Sequence, residues 1–297
     1  MNRAIKQWKH NGKYFNFESH NIFYLQEGNG ANLLIIHGYP YNSFEWKDTI
    51  NELSKTHRVT IFDLLGMGFS DKPKIHKYCF EEYCNIINAL LQKLNISETH
   101  IISHDLGVSI AQELIARASE GKNNFKIKSS AFINGSLFID VYKPRLIQKL
   151  LSKSPTLIGK ILSKILTKNM VNNSVKSVFG PFTKPSEAFL DQQWEILNYN
   201  DGKAITYSIG RLIFEKYNYL KRWVKAMQET TIPMCYICGP YDPNSGMHMA
   251  KRYAEIIPNP KVYFLDKYIG HWPQLEDQHN TIKYFYQFIN EIEKNHK

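Results

Sequence analysis

The 297-residue chain has no long apolar run and few cysteines. No stretch approaches the roughly 18–20 apolar residues that cross a membrane, and the first thirty residues, which include Lys6, Lys9 and Lys13, hold no apolar signal segment. Four cysteines do not make a disulfide scaffold in a chain of this length. Because 43% of the residues are hydrophobic and 13% are aromatic, we expect a sizeable core. The lack of a signal segment and of a membrane span leads us to expect a cytoplasmic protein.

Two of the cysteines, Cys235 and Cys238, have the spacing of a metal or redox motif. They lie in TIPMCYICGPYD, which is typical of a buried strand, and residues three apart on a strand point to opposite faces. We therefore interpret them as packing residues. The sequence predicts no metal and no cofactor.

The positive charge is confined to one segment. Residues 141–226 hold 15 Lys and Arg against 5 Asp and Glu, whereas the rest of the chain holds 22 of each sign. This segment therefore carries the whole formal excess of +10, which suggests a separate unit. No nucleic-acid-binding motif accompanies the charge, so we expect no nucleic-acid partner.

On either side of that segment, apolar patterning alternates between the periods of strands and helices. The alternation predicts an α/β fold with a mostly parallel sheet covered on both faces, residues 1–140 and 227–297 forming the core and residues 141–226 a helical cap. The predicted strands are a hairpin at Lys13–Gly28, a strand that opens HRVTIFDLLGMGFSDKP and runs into a Gly-rich loop, and strands at Leu33–Ile36, Thr99–Ser103, Ile127–Gly135, Ile232–Cys238 and Lys261–Leu265. The predicted helices are Cys79–Asn95, Gly107–Ala118, Met247–Ile257 and Asn280–Glu293.

Two aspartates and a histidine each follow a predicted strand. Asp105 follows Thr99–Ser103, Asp242 follows the next strand but one, and His271 follows the last strand. Because reactive groups gather at the carboxyl ends of parallel strands, we expect these side chains to meet. The order nucleophile, acid, histidine is that of the α/β-hydrolase fold, and SHDLG then places Asp105 at the nucleophile elbow.

Each of these residues also has a simpler interpretation. Asp105 could cap the helix that follows it, since Asp is favoured at that position. GVSIA resembles a serine elbow around Ser109, but Ser109 falls inside the predicted helix. The acid of the triad could instead follow the strand Ile127–Gly135. This is disfavoured because no carboxylate occurs after that strand before Asp140. The triad Asp105, Asp242 and His271 remains our prediction.

An aspartate nucleophile restricts the chemistry. Attack on an ordinary ester would form a high-energy anhydride, whereas attack on a saturated carbon with a leaving group forms an alkyl ester. His271, oriented by Asp242, would then activate water against that ester. The backbone N–H groups of Tyr39 and Leu106 would hold the oxyanion, so the elbow points to epoxides or haloalkanes.

Several motifs carry a family resemblance: DLLGMGFSDKP, SHDLG with AQELIAR, VFGPFTKPSE, NDGKAI, GPYDP and HWPQLED. They resemble the epoxide hydrolase and haloalkane dehalogenase branch of the α/β hydrolases. From about residue 32 to the C-terminus the chain is more similar to the mesoderm-specific transcript protein family. This resemblance implies the fold and the triad positions, but it leaves the reaction open.

The resemblance separates the two reactions by their leaving-group donors. A dehalogenase of this branch has N–H donors at the positions of Tyr39 and Leu106, whose side chains offer none, although Trp194 or Trp223 could substitute. An epoxide hydrolase has phenol donors in its cap, where this chain carries Tyr199 and Tyr207 among five tyrosines. We therefore favour a lipophilic epoxide. A dehalogenase or a non-catalytic binding protein is the alternative.

The predicted substrate contacts are His37, Tyr207, Tyr199 and Trp194. The basic stretch Pro144–Val171 has Leu and Ile on one helical face and Lys on the other. We expect it to roof a pocket for a small lipophilic substrate, and contact with a membrane surface is the less favoured interpretation. The oligomeric state is left open.

Overall fold

A computed structural model describes residues 1–144 and 156–294. Its sheet has eight strands in the order β1-β2-β4-β3-β5-β6-β7-β8. The first two strands pair antiparallel with their neighbours, and all other pairs are parallel, which confirms the mostly parallel sheet. The strands are β1 (Lys13–Phe17), β2 (His20–Glu27), β3 (Ala31–Ile36), β4 (His57–Phe62), β5 (Glu98–His104), β6 (Lys126–Ile133), β7 (Met234–Cys238) and β8 (Lys261–Phe264).

Helices alternate with these strands and also fill the segment between β6 and β7. The helices of the described residues are α1 (Arg3–Asn11), α2 (Lys47–Leu53), α3 (Phe80–Lys93), α4 (Leu106–Ser119), α5 (Thr156–Ile165), α6 (Lys168–Lys176), α7 (Glu187–Asn198), α8 (Gly202–Gly210), α9 (Leu212–Glu215), α10 (Leu220–Glu229), α11 (Met247–Ile256), α12 (Pro273–Glu276) and α13 (Gln278–Lys294). No helix among these is long and apolar enough to cross a bilayer.

The sheet divides the core into two layers. One layer packs α3, α4, α10 and α11 against one face, and the other packs α1, α2 and α13 against the opposite face. The alternation of strand side chains decides which layer each residue joins. Cys235 lies in the second layer and Cys238 in the first, both buried and free, which confirms that they point to opposite faces.

The strands and helices predicted from periodicity are confirmed, with bounds shifted by at most two residues. Among the described residues outside the insertion, three helices were missed: α1, α2 and the one-turn α12. Only Ile5 and Trp8 of α1 are buried, so its apolar stripe is too short to give a helical period. Its start depends instead on the Asn2 side chain, which accepts a hydrogen bond from the Ile5 N–H.

Between β6 and β7, the described part of the chain is helical, from α5 to α10, and we call it the insertion. The boundary predicted at residue 226 falls within α10, whose Trp223 and Met227 pack in the same layer as α4. Glu113 of α4 accepts hydrogen bonds there from Arg222 and from the Trp223 indole. The last helix of the insertion is thus anchored on the core.

Candidate active site

Asp105 occupies a strained turn between β5 and α4. Its backbone has φ 51° and ψ −114°, a conformation that non-glycine residues rarely adopt and that costs on the order of 1–3 kcal/mol. Glycines allow the close packing around the turn, because a Cβ on Gly107 would lie 2.3 Å from the Ile36 carbonyl oxygen and one on Gly38 would lie 2.5 Å from the Asp105 Cβ. This is the geometry of a nucleophile elbow.

The side chain of Asp105 does not cap the helix that it precedes. Instead its Oδ1 accepts a hydrogen bond of 2.9 Å from the Tyr39 N–H. Ser109 lies inside α4, is 1% exposed and is not among the residues that line the cavity described below. Between the two candidate nucleophiles, the geometry favours Asp105.

The three predicted triad residues lie together. His271 Nδ1 is 2.8 Å from Asp242 Oδ2, and His271 Nε2 is 3.5 Å from Asp105 Oδ2. All three follow strands at the carboxyl edge of the sheet, β5, β7 and β8. The imidazole therefore stands between a carboxylate that orients it and a carboxylate that faces the cavity.

Asp242 is held by groups that sequence analysis did not identify. Its Oδ1 accepts the Asn244 N–H at 2.8 Å, and its Oδ2 accepts the Ser245 hydroxyl at 2.8 Å and the Asn134 amide at 3.1 Å. Asn134 directly follows β6, where an alternative acid would stand, and it also donates to the carbonyls of Gly239 and Gly270. Asp140 lies elsewhere, paired with Arg252 at 2.7 Å.

The three charges shift one another's pKa. Burial alone would lower the pKa of His271, but the carboxylates of Asp242 and Asp105 outweigh burial and raise that pKa to about 10. Burial likewise opposes ionisation of both carboxylates, yet His271 lowers the pKa of Asp105 to about 2 and that of Asp242 below its usual range. The two carboxylates thus favour the protonated form of His271, and His271 favours the ionised form of both carboxylates.

The residues predicted for the oxyanion hole adjoin the nucleophile. The Tyr39 N–H contacts Asp105 directly, and Leu106 is the first residue of α4, where backbone N–H groups have no helical partner. The Tyr39 phenol also spans from the core to the insertion, because it donates to the Thr206 carbonyl at 2.8 Å. Burial raises the pKa of this phenol, so it keeps its proton.

A cavity of about 110 Å³ lies over Asp105 and His271. Its wall is mostly apolar, and its polar groups include Thr206, Ser174 and Asn244. The Asn244 side-chain oxygen is buried without a hydrogen-bond partner among the described residues, so it is available to a ligand. The lining residues are Tyr39, Pro40, Tyr41, Asp105, Leu166, Met170, Val171, Ser174, Val175, Val178, Leu197, Thr206, Ile213, Asn244, His271 and Trp272.

The four residues predicted to contact substrate stand outside this lining. His37 is fully buried and accepts the Leu64 N–H, while Tyr207 packs with Leu166 inside the insertion. Tyr199 faces α1, where it accepts a hydrogen bond from Lys9. Trp194 is stacked under Lys203. Thr206, which directly precedes Tyr207 on α8, lines the cavity in place of Tyr207.

The loop that carries His271 is held by a further residue that sequence analysis missed, Glu276. Its carboxylate accepts the N–H groups of Gly270 and Trp272, on either side of the histidine, at 2.9 and 3.0 Å. The same carboxylate accepts the Gly180 N–H at 2.7 Å and the Thr183 hydroxyl at 2.6 Å. The motifs VFGPFTKPSE and HWPQLED, which carried the family resemblance, are thus joined at one carboxylate.

Comparison with known proteins agrees with this architecture. Residues 31–278 match the family described as alpha/beta hydrolase fold. The human mesoderm-specific transcript homolog protein is 35% identical over 98% of this chain and 89% of its own length. Among solved structures, a haloalkane dehalogenase from Bradyrhizobium elkani has a TM-score of 0.80 at 18% identity, covering 96% of this chain and 99% of that one. An epoxide hydrolase has a TM-score of 0.77 at 17% identity, and the match covers 95% of this chain and 99% of that one. The chain belongs to the α/β-hydrolase fold family and, within it, to the mesoderm-specific transcript protein group.

Proposed function

We propose that this chain is a hydrolase in which Asp105 attacks a saturated carbon of a lipophilic epoxide. The observation that carries the proposal is the pair of contacts made by the Asp105 carboxylate, with Oδ1 on the Tyr39 N–H and Oδ2 facing His271. A carboxylate at the elbow that lines an apolar cavity is placed as a nucleophile for an alkyl carbon.

In the first step, an Asp105 oxygen forms a bond to one epoxide carbon and the bond from that carbon to the ring oxygen breaks. The ring oxygen takes the electron pair and needs a proton. The cap tyrosines Tyr199 and Tyr207 stand outside the cavity lining, whereas Tyr39 and Tyr41 belong to it. We assign the proton to Tyr39, whose raised pKa keeps its phenol protonated at neutral pH.

In the second step, water hydrolyses the ester. Alkylation removes the negative charge of Asp105 that faces His271 Nε2, so the pKa of His271 falls and the imidazole gives its proton to solvent. Neutral His271 then takes a proton from water, the hydroxide adds to the ester carbonyl, and the Tyr39 N–H holds the oxyanion. Collapse breaks the ester C–O bond, and the departing alkoxide takes the proton from His271 to give the diol. The Asp105 carboxylic acid gives its proton to the Tyr39 phenolate, and His271 regains a proton from solvent as the carboxylate charge returns.

The contacts of the tryptophans favour an epoxide over a haloalkane. The Trp223 indole donates to Glu113 at 2.6 Å, and the Trp272 indole donates to Glu45 at 3.3 Å. Trp194, the remaining candidate halide donor from the sequence, is not part of the cavity wall. A halide would have to displace a carboxylate from an indole N–H, whereas the ring oxygen of an epoxide would displace only the neutral Thr206 carbonyl from the Tyr39 hydroxyl.

Intact mass of the His271→Gln protein, incubated separately with pooled epoxides and pooled haloalkanes, tests the proposal. Without its base the enzyme should retain the alkyl ester, and we expect a mass gain equal to a whole epoxide. The double variant Asp105→Asn with His271→Gln is the matched control and should gain no mass. A gain equal to an alkyl group without its halogen would assign dehalogenation. No adduct from either pool in the folded single variant would contradict the proposal and favour a binding role.

A further inference from the structure

Helix α5 of the insertion turns its isoleucines outward. Ile158, Ile161 and Ile165 are 47%, 53% and 57% exposed. Their spacing of three and four residues places them along one face of the helix. The opposite face is buried, with Ser163 at 0% and Leu166 at 9% exposure. This arrangement inverts the usual one, in which the large apolar residues of a surface helix face the core.

Small residues on the buried face explain the inversion. A Cβ on Gly159 would lie 2.8 Å from the Tyr207 ring, and the Ser163 hydroxyl is 3.2 Å from the Thr206 hydroxyl. Helix α5 therefore packs closely on α8 through its small residues. Within the described part of the insertion, the isoleucine face is exposed.

Positive charge borders this face. Lys160 and Lys164 are exposed on the same helix, and within the described ranges neither forms an ion pair. Lys203, from α8, donates to the carbonyls of Lys164 and Leu166 at the end of the helix. A stripe of exposed apolar side chains beside unpaired lysines matches an anionic lipid surface, with acyl chains for the isoleucines and headgroups for the lysines.

The C-terminal end of α5 adjoins the cavity. Leu166, on the buried side of that end, lines the cavity wall. Met170, one turn further on α6, also lines the cavity and is 45% exposed. Since Met170 is both exposed and part of the wall, the cavity wall reaches the protein surface near the C-terminal end of α5.

We propose that α5 is a membrane-docking face: Ile158, Ile161 and Ile165 enter the interface of an anionic bilayer while Lys160 and Lys164 contact its headgroups. Substrate then passes from the bilayer to the cavity beside Met170. Docking itself depends only on the exposed face, whereas the passage of substrate rests on the proposed function.

Sedimentation of the full chain with vesicles tests the proposal. We expect binding to phosphatidylcholine vesicles that contain phosphatidylserine, weaker binding to phosphatidylcholine alone, and loss of binding in high salt. Ile161→Asn should lower the partition coefficient about tenfold, and the double change Lys160→Glu and Lys164→Glu by more than tenfold. Ile75→Asn and Lys126→Glu are matched controls, because Ile75 is 97% exposed and both residues lie outside the insertion. Both controls should bind as the wild type does.

Three results would overturn the docking proposal. They are no binding by the wild type at low salt, equal loss in the control variants, and a wild-type dimer in light scattering that Ile161→Asn dissociates. The last result would identify a second copy as the occupant. Adduct formation by His271→Gln with a water-soluble epoxide is measured in parallel, because it needs no vesicle and reports on the reaction alone.

Discussion

At the residue scale, the charge of His271 depends on the carboxylate that it faces. Two carboxylates raise its pKa, and one of them, Asp105, is the group consumed in the proposed first step. An imidazolium cannot take a proton from water, so the resting charge state delays hydrolysis until the ester has formed. The order of the two chemical steps is in this way built into the electrostatics of the site.

Asp105→Asn should therefore lower the pKa of His271 by one unit or more, because the variant removes a negative charge 3.5 Å from Nε2. The measurement is a ¹⁵N–¹H NMR titration of the imidazole. Asp48→Asn is a suitable control, because its side chain is 61% exposed and pairs only with Lys47 among the described residues. An unchanged pKa of His271 in Asp105→Asn would mean that Asp242 alone determines the charge.

Tyr39→Phe tests the role of the Tyr39 hydroxyl separately from that of the Tyr39 backbone N–H. The variant keeps the oxyanion contact to Asp105 but removes the proposed proton donor, so kcat for an epoxide should fall about 100-fold with little change in KM. Tyr41→Phe is the comparison, since Tyr41 lines the same cavity. If Tyr41→Phe alone reduced kcat, the proton donor would have been assigned to the wrong phenol.

At the scale of elements, the loop that carries His271 and the insertion form one hydrogen-bonded unit. Glu276 joins Gly270 and Trp272 to Gly180 and Thr183, and the His271 N–H donates to the Val178 carbonyl at 2.9 Å. The insertion thus positions His271 as well as lining the cavity.

Glu276→Ala should reduce kcat more than it changes KM, because four donors lose their acceptor and the His271 loop loosens. Each unsatisfied group costs about 1–3 kcal/mol if it stays buried, so the free energy of unfolding in urea should also fall. The nucleophile is untouched, so the alkyl-enzyme ester should still form and should persist longer, as followed by intact mass. Glu255→Ala is the control, with its side chain 62% exposed. Normal turnover of the ester in Glu276→Ala would exclude a positioning role.

Sequence analysis predicted the elements whose pattern is local and missed features that depend on tertiary contacts. The strand ends and the triad could be predicted because parallel strands bring their carboxyl ends together. The orientation of Tyr207 could not be predicted from the sequence, because a shift of one position on α8 decides whether Thr206 or Tyr207 lines the cavity. Residues 145–155 of the basic stretch lie outside the described residues, and α5 turned out to expose its isoleucines.

At the scale of the whole molecule, the triad contributes to stability in a pH-dependent way. The pKa of His271, about 10 in the fold, lies above its ordinary 6.5, so its contribution is complete below pH 6.5 and is lost as the pH rises through 10. The pKa of Asp105, about 2, lies below its ordinary 3.8, so its contribution is present above pH 3.8 and is lost as the pH falls through 2.

The difference in unfolding free energy between wild type and His271→Gln should therefore shrink as the pH rises from 6.5 to 10. Urea unfolding of both proteins across that range measures the difference directly. A difference independent of pH would show that His271 carries no extra proton in the fold.

The bond network around Glu276 also bears on how this protein can be recombined with its relatives. A chimera that exchanges the insertion of one hydrolase for that of another is normally cut at the strand ends, after β6 and before β7. Here such a graft would remove Val178, Gly180 and Thr183 while leaving Glu276 and His271 behind. The core of this protein would keep Asp105 and His271, but the His271 loop would lose its hydrogen bonds to the insertion. A working chimera would therefore have to exchange two separate segments of the sequence at once, the insertion and the loop after β8.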